Sequence, residues 1–202
     1  YLKNYTPNIL KYGKYFYLYN MIDGKILSKV ISKKLFIKFL NFLTIFWKTK
    51  KTNQKEFEKK CLKFYRDKTY KRVKEFKKKY KNYDKIELIN GNNVRLVDSL
   101  LKEVDWRKIS KGKSVLFHGD LHFENVLYSK KKFILLDWRQ NFAGYLNKGD
   151  IYYDLSKIMH GILVSHNKVV NNYYTYTQKN KETKINIKLD KKYKKLLKIF
   201  EK

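Results

Sequence analysis

The chemically richest stretch of the chain runs from Val115 to Trp138, where polar side chains interrupt short apolar runs. His118, Asp120 and Asn125 follow the first apolar run, and Asp137 ends the next one. A carboxylate can accept the proton of an attacking hydroxyl group. Carboxylate and amide oxygens are also the protein ligands that Mg²⁺ prefers. These residue types therefore fit proton transfer beside a magnesium-bound group.

Three other interpretations compete for the same residues. A plain polar loop between two strands would need none of this chemistry. His118 and His122 could bind a metal from one face of a helix, but Gly119 indicates a loop and no cysteine is near to complete a zinc set. A Ser-His-Asp site is disfavoured because no serine lies on a glycine-flanked elbow.

Phosphoryl transfer is the interpretation that uses all of these side chains. His118, Asp120 and Asn125 form the pattern H-x-D-x-x-x-x-N, which is the spacing of a kinase catalytic loop. In such a loop the Asp orients or accepts the proton of the attacking hydroxyl, and the Asn supplies an oxygen to magnesium. Asp137 ends the apolar run "FILLD", where a second oxygen ligand would lie.

The segments "HGDLHFENVL", "LLDWRQ" and "GDIYYDLSK" together resemble the aminoglycoside phosphotransferase and choline kinase superfamily, small-molecule relatives of the protein kinases. The resemblance covers about Tyr12 to Val164. It implies that Asp120 is the catalytic base and that His118 belongs to the catalytic set by bracing the loop. It also implies that Asn125 and Asp137 are the Mg²⁺ ligands.

The acidic residues Asp150 and Asp154 match the family's acidic helix start, and we expect them to act as caps and loop anchors. The implied fold is α+β and protein-kinase-like, mainly the α-helical large (C-terminal) lobe with short β-hairpins and the hinge strand. Residues 1–24 would form the end of the small lobe and the hinge, and residues 25–202 the large catalytic lobe. Backbone groups near Asn20 and Met21 would hold the adenine of ATP.

The chain departs from the family in one respect. A phosphate-covering glycine-rich loop and a strand lysine are expected upstream of the hinge. The first glycine is Gly13, and neither feature can be placed before it. Because the chain also opens with Tyr1 rather than Met, we expect a fragment that lacks most of the small lobe, whose own activity is in doubt.

The implied reaction moves the γ-phosphate of ATP to a hydroxyl of a small molecule: a sugar, a choline-like alcohol or an aminoglycoside-like acceptor. Arg139 stands beside Asp137, where the resembling relatives often carry an acidic residue, so a cationic aminoglycoside is not favoured over a sugar or another alcohol. Trp138, Tyr152 and Tyr153 could cage a quaternary ammonium group, but aromatic residues are so frequent in this chain that core packing is the better explanation. Two alternatives stay open, a non-catalytic basic module that binds RNA or anionic surfaces, and an inert pseudokinase that binds nucleotide.

Composition sets wider limits. The chain has 202 residues and a formal net charge of +30, which would suit a polyanionic partner. The richness in Lys, Asn, Tyr, Ile and Phe is also typical of AT-rich coding, so we do not expect nucleic acid as a partner. One cysteine, Cys61, excludes an internal disulfide and favours the cytoplasm. No apolar stretch is long enough for a membrane span, and the sequence leaves the oligomeric state open.

The elements that must position these residues follow from periodicity and turn residues. Tyr12 to Ile22 predicts a buried strand. Leu35 to Lys48 and Gln54 to Lys81 predict amphipathic helices, the second with its apolar stripe extending to Tyr80. Further predictions are a short helix over Val94–Val104, strands at Val115–Phe117, Asn125–Tyr128 and Lys132–Trp138, a helix over Ile151–Val164, a hairpin over Thr175–Asp190, and a helix from Lys191.

Overall fold

The computed structural model describes residues 2, 4–80, 87–164, 169–187 and 189–201. The contacts divide the chain into two compact units. The first comprises Tyr1–Lys50, Ser114–Leu163 and Asp190–Lys202, and the second Lys51–Lys113 and Val164–Leu189. Helices and short sheets occur together, which confirms the α+β class. The division into lobes at residue 24 stays a prediction.

The described strands are β1 (Ile9–Tyr12), β2 (Tyr17–Tyr19), β3 (Lys25–Ile26), β4 (Leu88–Ile89), β5 (Asn92–Asn93), β6 (Ser114–Val115), β7 (Val126–Ser129), β8 (Lys132–Leu135), β9 (Gly149–Asp150), β10 (Thr175–Lys179) and β11 (Glu182–Asn186). The described helices are α1 (Leu27–Val30), α2 (Lys33–Phe46), α3 (Gln54–Leu62), α4 (Lys68–Lys79), α5 (Val97–Glu103), α6 (Trp106–Ser110), α7 (Ile151–Leu163) and α8 (Lys191–Phe200).

Helix α2 supplies much of the core of the first unit. Its N-cap is Ser32, whose hydroxyl accepts a hydrogen bond from the Leu35 amide at 3.2 Å. The buried Phe39 ring lies 5.2 Å from that of Phe133 and 6.4 Å from that of Phe123. The helix predicted over Leu35–Lys48 is therefore confirmed, and its aromatic face packs against the segment that carries the candidate site.

A three-stranded antiparallel sheet in the order β3-β7-β8 carries that segment. The two-residue turn of the β7–β8 hairpin is formed by Lys130 and Lys131, both with positive φ. Such a left-handed pair matches the twist of a two-residue hairpin. The strands predicted on either side of this turn are confirmed, although β8 ends at Leu135 and not at the predicted Trp138.

A second link joins the strand before the candidate loop to the start of α7. Strand β6 pairs antiparallel with β9, with Val115 opposite Gly149. A Cβ atom at Gly149 would lie 2.5 Å from the Phe117 ring, so only glycine fits there. Asp150 then accepts a hydrogen bond from the Tyr152 amide at 3.2 Å, as expected of a cap at this helix start.

The N-terminal prediction is wrong in one respect. Residues Tyr12–Ile22 do not form one buried strand. They include the end of β1, a turn closed by the Gly13 amide donating to the Phe16 carbonyl at 2.8 Å, and the short β2. Tyr12, Tyr17 and Leu18 are all more than half exposed. Aromatic composition predicted a strand, but burial depends on what packs against it.

In the second unit, the regular helix predicted over Gln54–Lys81 is wrong because the helix is interrupted. Five residues, 63–67, form a π-helical turn between α3 and α4. The wider turn shifts the helical phase, so Phe57 and Cys61 are buried while Phe76 and Tyr80 are exposed. Lys81 lies outside the described residues. The C-terminal hairpin β10–β11 and the helix α5 confirm their predictions, except at Lys188, which also lies outside.

No helix within the described residues combines the length and apolar character that crossing a membrane would require.

Candidate active site

The residues predicted to do chemistry all lie in the first unit. His118, Asp120 and Asn125 follow β6 and precede β7, with a 3-10 turn at Phe123–Asn125, whereas Asp137 follows β8. Gly119 has a φ of +83°, and a Cβ atom there would lie 2.5 Å from the Arg139 Cβ. The glycine of the "HGD" motif is therefore required both by its left-handed backbone and by close packing.

His118 is fully buried and both of its ring nitrogens contact the main chain. Its Nε2 lies 2.7 Å from the Leu136 carbonyl oxygen, and its Nδ1 accepts a hydrogen bond from the Asp120 amide at 3.2 Å. A carbonyl only accepts, so Nε2 carries the proton. Burial lowers the pKa of His118 to about 4, although the Leu136 carbonyl opposes this change. The ring is a neutral brace, with no nitrogen left for a metal.

Asp154, on α7, anchors the same loop from behind. Its side chain is fully buried, and it accepts hydrogen bonds from the His118 amide at 2.9 Å and the Gly119 amide at 2.7 Å. The indole Nε1 of Trp47 donates a third bond at 3.0 Å. Burial raises the pKa of Asp154 to about 6 against the lowering influence of these donors. The prediction that Asp154 serves as a loop anchor agrees with this geometry.

Asp120, the predicted base, faces two nitrogens from other positions. The ammonium of Lys157 lies 2.8 Å from Asp120 Oδ1, and His122 Nε2 lies 3.1 Å from the same oxygen. Burial raises the pKa of Asp120, but the hydrogen bond and charge of Lys157 outweigh it, with help from His122, and the pKa falls below its ordinary value. Burial lowers the pKa of His122, so its ring is neutral near pH 7. Asp120 is therefore held as a carboxylate.

The two predicted magnesium ligands are brought to one end of the β7–β8 hairpin. Asn125 donates from Nδ2 to the Asp120 carbonyl at 2.8 Å and to Asp120 Oδ2 at 3.2 Å. Its own carbonyl accepts a bond from the Leu136 amide at 2.8 Å, next to Asp137. The donor end of the Asn125 amide is thus engaged, and its oxygen end is the one that can ligate a cation. Asp137 is exposed and has a left-handed backbone with a φ of 55°.

Asn125 and Asp137 fit Mg²⁺ only where the phosphates of a nucleotide supply further ligands. Among the described residues, no group of three or more His, Cys, Asp or Glu side chains could hold a metal ion. One carboxylate and one amide oxygen are nevertheless enough when phosphate oxygens and water complete the coordination. The donor set therefore fits a cation that arrives with a nucleotide.

A cleft of about 330 Å³ opens beside Asp137. Its lining is largely apolar and comes from the N-terminal segment and from the end of β8: Leu2, Thr6, Pro7, Ile9, Tyr17, Tyr19, Leu135, Leu136, Asp137 and Trp138. Asn20 and Met21, the predicted adenine-binding residues, directly follow this lining and are both exposed. Their role stays a prediction.

The aromatic cage considered from the sequence does not assemble as a free surface. The Trp138 ring packs 4.9 Å from His118 and 5.5 Å from Phe46. The Tyr153 ring has the guanidinium of Arg139 and the ammonium of Lys157 above it, each 5.7 Å from the ring centre. Core packing and cations of the chain itself account for these rings.

Sequence reasoning missed Lys157 and Trp47. Lys157 lies three residues after Asp154 on α7, so both project from one helix face. That spacing within "YDLSK" was the available signal. Nothing local marks Trp47, because its contact with Asp154 joins residues that are far apart in sequence.

Comparison with known proteins gives one family match. A family model described as "Phosphotransferase enzyme family" matches residues 6–169, which is most of the chain. No curated protein and no solved structure matches. The match includes the loop, the hairpin and the start of α7, and it implies the kinase-like fold expected from the motifs. The chain therefore belongs to the phosphotransferase enzyme family.

Proposed function

We propose that this chain is an ATP-dependent phosphotransferase that moves the γ-phosphate of ATP to a hydroxyl group of a small molecule. One observation carries the proposal. The Asn125 side chain donates two hydrogen bonds to Asp120, the predicted base. The Asn125 backbone carbonyl accepts a bond from the Leu136 amide, which places Asn125 next to Asp137, the other predicted magnesium ligand. A carboxylate base beside such ligands suits phosphoryl transfer.

In the proposed reaction the acceptor oxygen attacks the γ-phosphorus while its proton passes to the Asp120 carboxylate. A new bond forms between this oxygen and phosphorus, and the bond from phosphorus to the bridging oxygen breaks. ADP leaves with that electron pair. Asp120 then releases the proton to solvent. His118 and Asp154 take no proton; they hold the loop backbone on which Asp120 is mounted.

Asn125 and Asp137 would hold Mg²⁺ through their side-chain oxygens. When bound, the ion neutralises charge on the phosphates. The cleft beside Asp137 would receive the base of the nucleotide, since its apolar lining suits a planar heterocycle. These assignments give the two ends of the nucleotide separate sites in the first unit.

The surroundings of Asp120 bear on the acceptor. Lys157 lies against the base, and together with Arg139 it faces the Tyr153 ring. A choline-like or aminoglycoside-like cation would compete with these cations of the chain. A neutral or anionic hydroxyl compound, such as a sugar, therefore suits this site better.

The first experiment measures thermal stabilisation of the chain by ATP and Mg²⁺ together and by each alone. We expect stabilisation that requires both, because the cation and the phosphates complete each other's coordination. Asp137→Asn should abolish most of it by removing the one carboxylate ligand. Asp67→Asn, which removes an exposed carboxylate paired with Arg66, is the matched control and should behave as the parent.

Stabilisation by ATP without Mg²⁺, unchanged in Asp137→Asn and lost at high salt, would instead indicate a basic surface that binds polyanions. Magnesium-dependent binding without phosphate transfer to any of a panel of sugars and alcohols would favour a pseudokinase. Release of ADP that depends on one acceptor would support the proposal.

A further inference from the structure

The Lys157 ammonium lies beside the predicted base, Asp120. The hydrogen bonds of His118 and Asp154 that hold the loop do not include it. Its Nζ lies 2.8 Å from Asp120 Oδ1 and 3.4 Å from His122 Nε2. Its side chain is 25% exposed, so it reaches the site from α7 with most of its stem covered. Asn125 already binds Asp120 from another side, and the His118–Asp154 contacts already fix the loop. The ammonium is therefore an additional charge at the point where the reaction would occur.

We propose that Lys157 is a catalytic cation that contacts the transferred phosphoryl group; the proposal rests on the phosphotransferase function proposed above. It assigns to α7 a role in chemistry beyond its anchoring of the loop through Asp154.

The distances permit this contact. An acceptor hydroxyl must lie about 2.6–3.2 Å from an oxygen of Asp120 to give up its proton. Since Lys157 Nζ is 2.8 Å from Oδ1, a hydroxyl bound at that oxygen is no more than about 6 Å from the ammonium. The γ-phosphorus then bonds to this hydroxyl oxygen. A lysine side chain, flexible over four carbons, can reach an oxygen of a phosphoryl group placed there.

The charge balance gives the contact a catalytic effect. Before the reaction, the Lys157 ammonium is compensated by the Asp120 carboxylate. As the acceptor O–H bond breaks, the proton neutralises Asp120 and leaves the ammonium uncompensated. At that stage the phosphoryl group carries negative charge on its equatorial oxygens, between the forming and the breaking P–O bonds. The ammonium thus interacts more strongly with the transition state than with the ground state, which raises kcat.

A purely positioning lysine makes a different prediction. If Lys157 acted only by orienting Asp120, its removal would change nothing once Asp120 could no longer act as a base. If Lys157 contacts the phosphoryl group, its removal matters even in an Asp120→Asn background. Lys157 could also act by recognising an anionic group on the acceptor. ADP with aluminium fluoride distinguishes this role from phosphoryl contact, because the complex mimics the phosphoryl group without any acceptor.

The test compares the affinity of the full chain for Mg²⁺–ADP and for Mg²⁺–ADP with aluminium fluoride, by calorimetry. In the parent we expect aluminium fluoride to tighten ADP binding. Lys157→Met should reduce that gain by about 10²- to 10³-fold, the usual effect of losing one oxyanion contact, while Mg²⁺–ADP affinity should stay nearly unchanged. Lys157→Arg should keep part of the gain. Lys38→Met, which removes an exposed lysine of α2, controls for net charge.

Asp120→Asn with Lys157→Met should lose the fluoride gain relative to Asp120→Asn alone. Slow hydrolysis of ATP to ADP, with water as acceptor, should also fall in Lys157→Met. An unchanged fluoride gain in Lys157→Met, or unchanged hydrolysis, would overturn the role of Lys157 while leaving the proposed function intact. Failure of the parent chain to bind Mg²⁺–ADP would overturn the proposed function and this inference together.

Discussion

Two buried groups that brace the candidate loop should give the protein opposite responses to pH. Asp154 accepts three N–H hydrogen bonds, and burial nevertheless raises its pKa from 3.8 to about 6. His118 is neutral, and burial lowers its pKa from 6.5 to about 4. Asp154→Asn and His118→Gln each remove one of these titrations. The two variants should therefore differ from the parent in opposite directions as pH changes.

The sign for Asp154 follows from proton linkage. A pKa that is higher in the folded state means that the folded protein binds the proton more tightly than the unfolded chain. The contribution of Asp154 to stability is complete below pH 4 and is lost as the pH rises to about 6. A pKa difference of about two corresponds to about 3 kcal/mol. The free energy of unfolding of Asp154→Asn, relative to the parent, should therefore rise by about 3 kcal/mol between pH 4 and pH 7.

The sign for His118 is the reverse. Its folded-state pKa is depressed, so between pH 4 and pH 6.5 the unfolded chain binds more protons than the folded protein. Its contribution to stability grows across this range, again by about 3 kcal/mol. The free energy of unfolding of His118→Gln, relative to the parent, should fall by that amount between pH 4 and pH 7. In the parent the two effects largely cancel.

Urea unfolding at several pH values, followed by tryptophan fluorescence, measures these differences. Two of the three tryptophans are suitable reporters, because Trp47 contacts Asp154 and Trp138 contacts His118. Asp67→Asn again controls for the loss of one exposed carboxylate. Parallel pH profiles for the two variants, or profiles that both match the parent, would refute the reasoning that burial governs these two groups.

Two further predictions concern the loop itself. In an assay of phosphate transfer, Asp120→Asn should reduce turnover by about 10²- to 10⁴-fold, the usual effect of losing a general base, with little change in nucleotide affinity; unchanged turnover would remove Asp120 from the mechanism. Gly119→Ala should lower the free energy of unfolding by about 2–4 kcal/mol, because a left-handed backbone and a clash with the Arg139 side chain combine. Gly91→Ala is its matched control: φ is +76° there, but a Cβ atom meets nothing within 4 Å. It should lose only about 1–2 kcal/mol, and equal losses at the two glycines would show that packing around Gly119 is not tight.

Where chemistry dictates both residue type and spacing, the sequence predicted which residues lie close together in the structure. The loop from His118 to Asn125 is short, so its residues must lie close together whatever the rest of the chain does. The hairpin that brings Asp137 to the same end was predictable from two apolar strands and the polar turn between them. Periodicity also predicted α2 and α7, because each helix buries one apolar face.

The wrong predictions share a cause, which is that periodicity reports local conformation and not what packs against it. The stripe extrapolated to Tyr80 assumed a regular helix, and a π turn shifts its phase after Leu62. The aromatic residues near Tyr12 form strands as expected, yet they are exposed. The composition of a segment does not indicate where a π turn inserts a residue. It also does not indicate whether other residues pack against the segment.

The sequence by itself determined the family, the α+β class and which residues share the candidate loop, since these depend on short-range spacing and on residue chemistry. Only the tertiary structure decided what surrounds them. Trp47 and Asp154 meet although they lie 107 positions apart, and Lys157 reaches Asp120 from a helix that begins 31 positions after it. Burial and contacts between distant residues set the pKa values and the charge at the site, because both depend on how closely the folded chain excludes water.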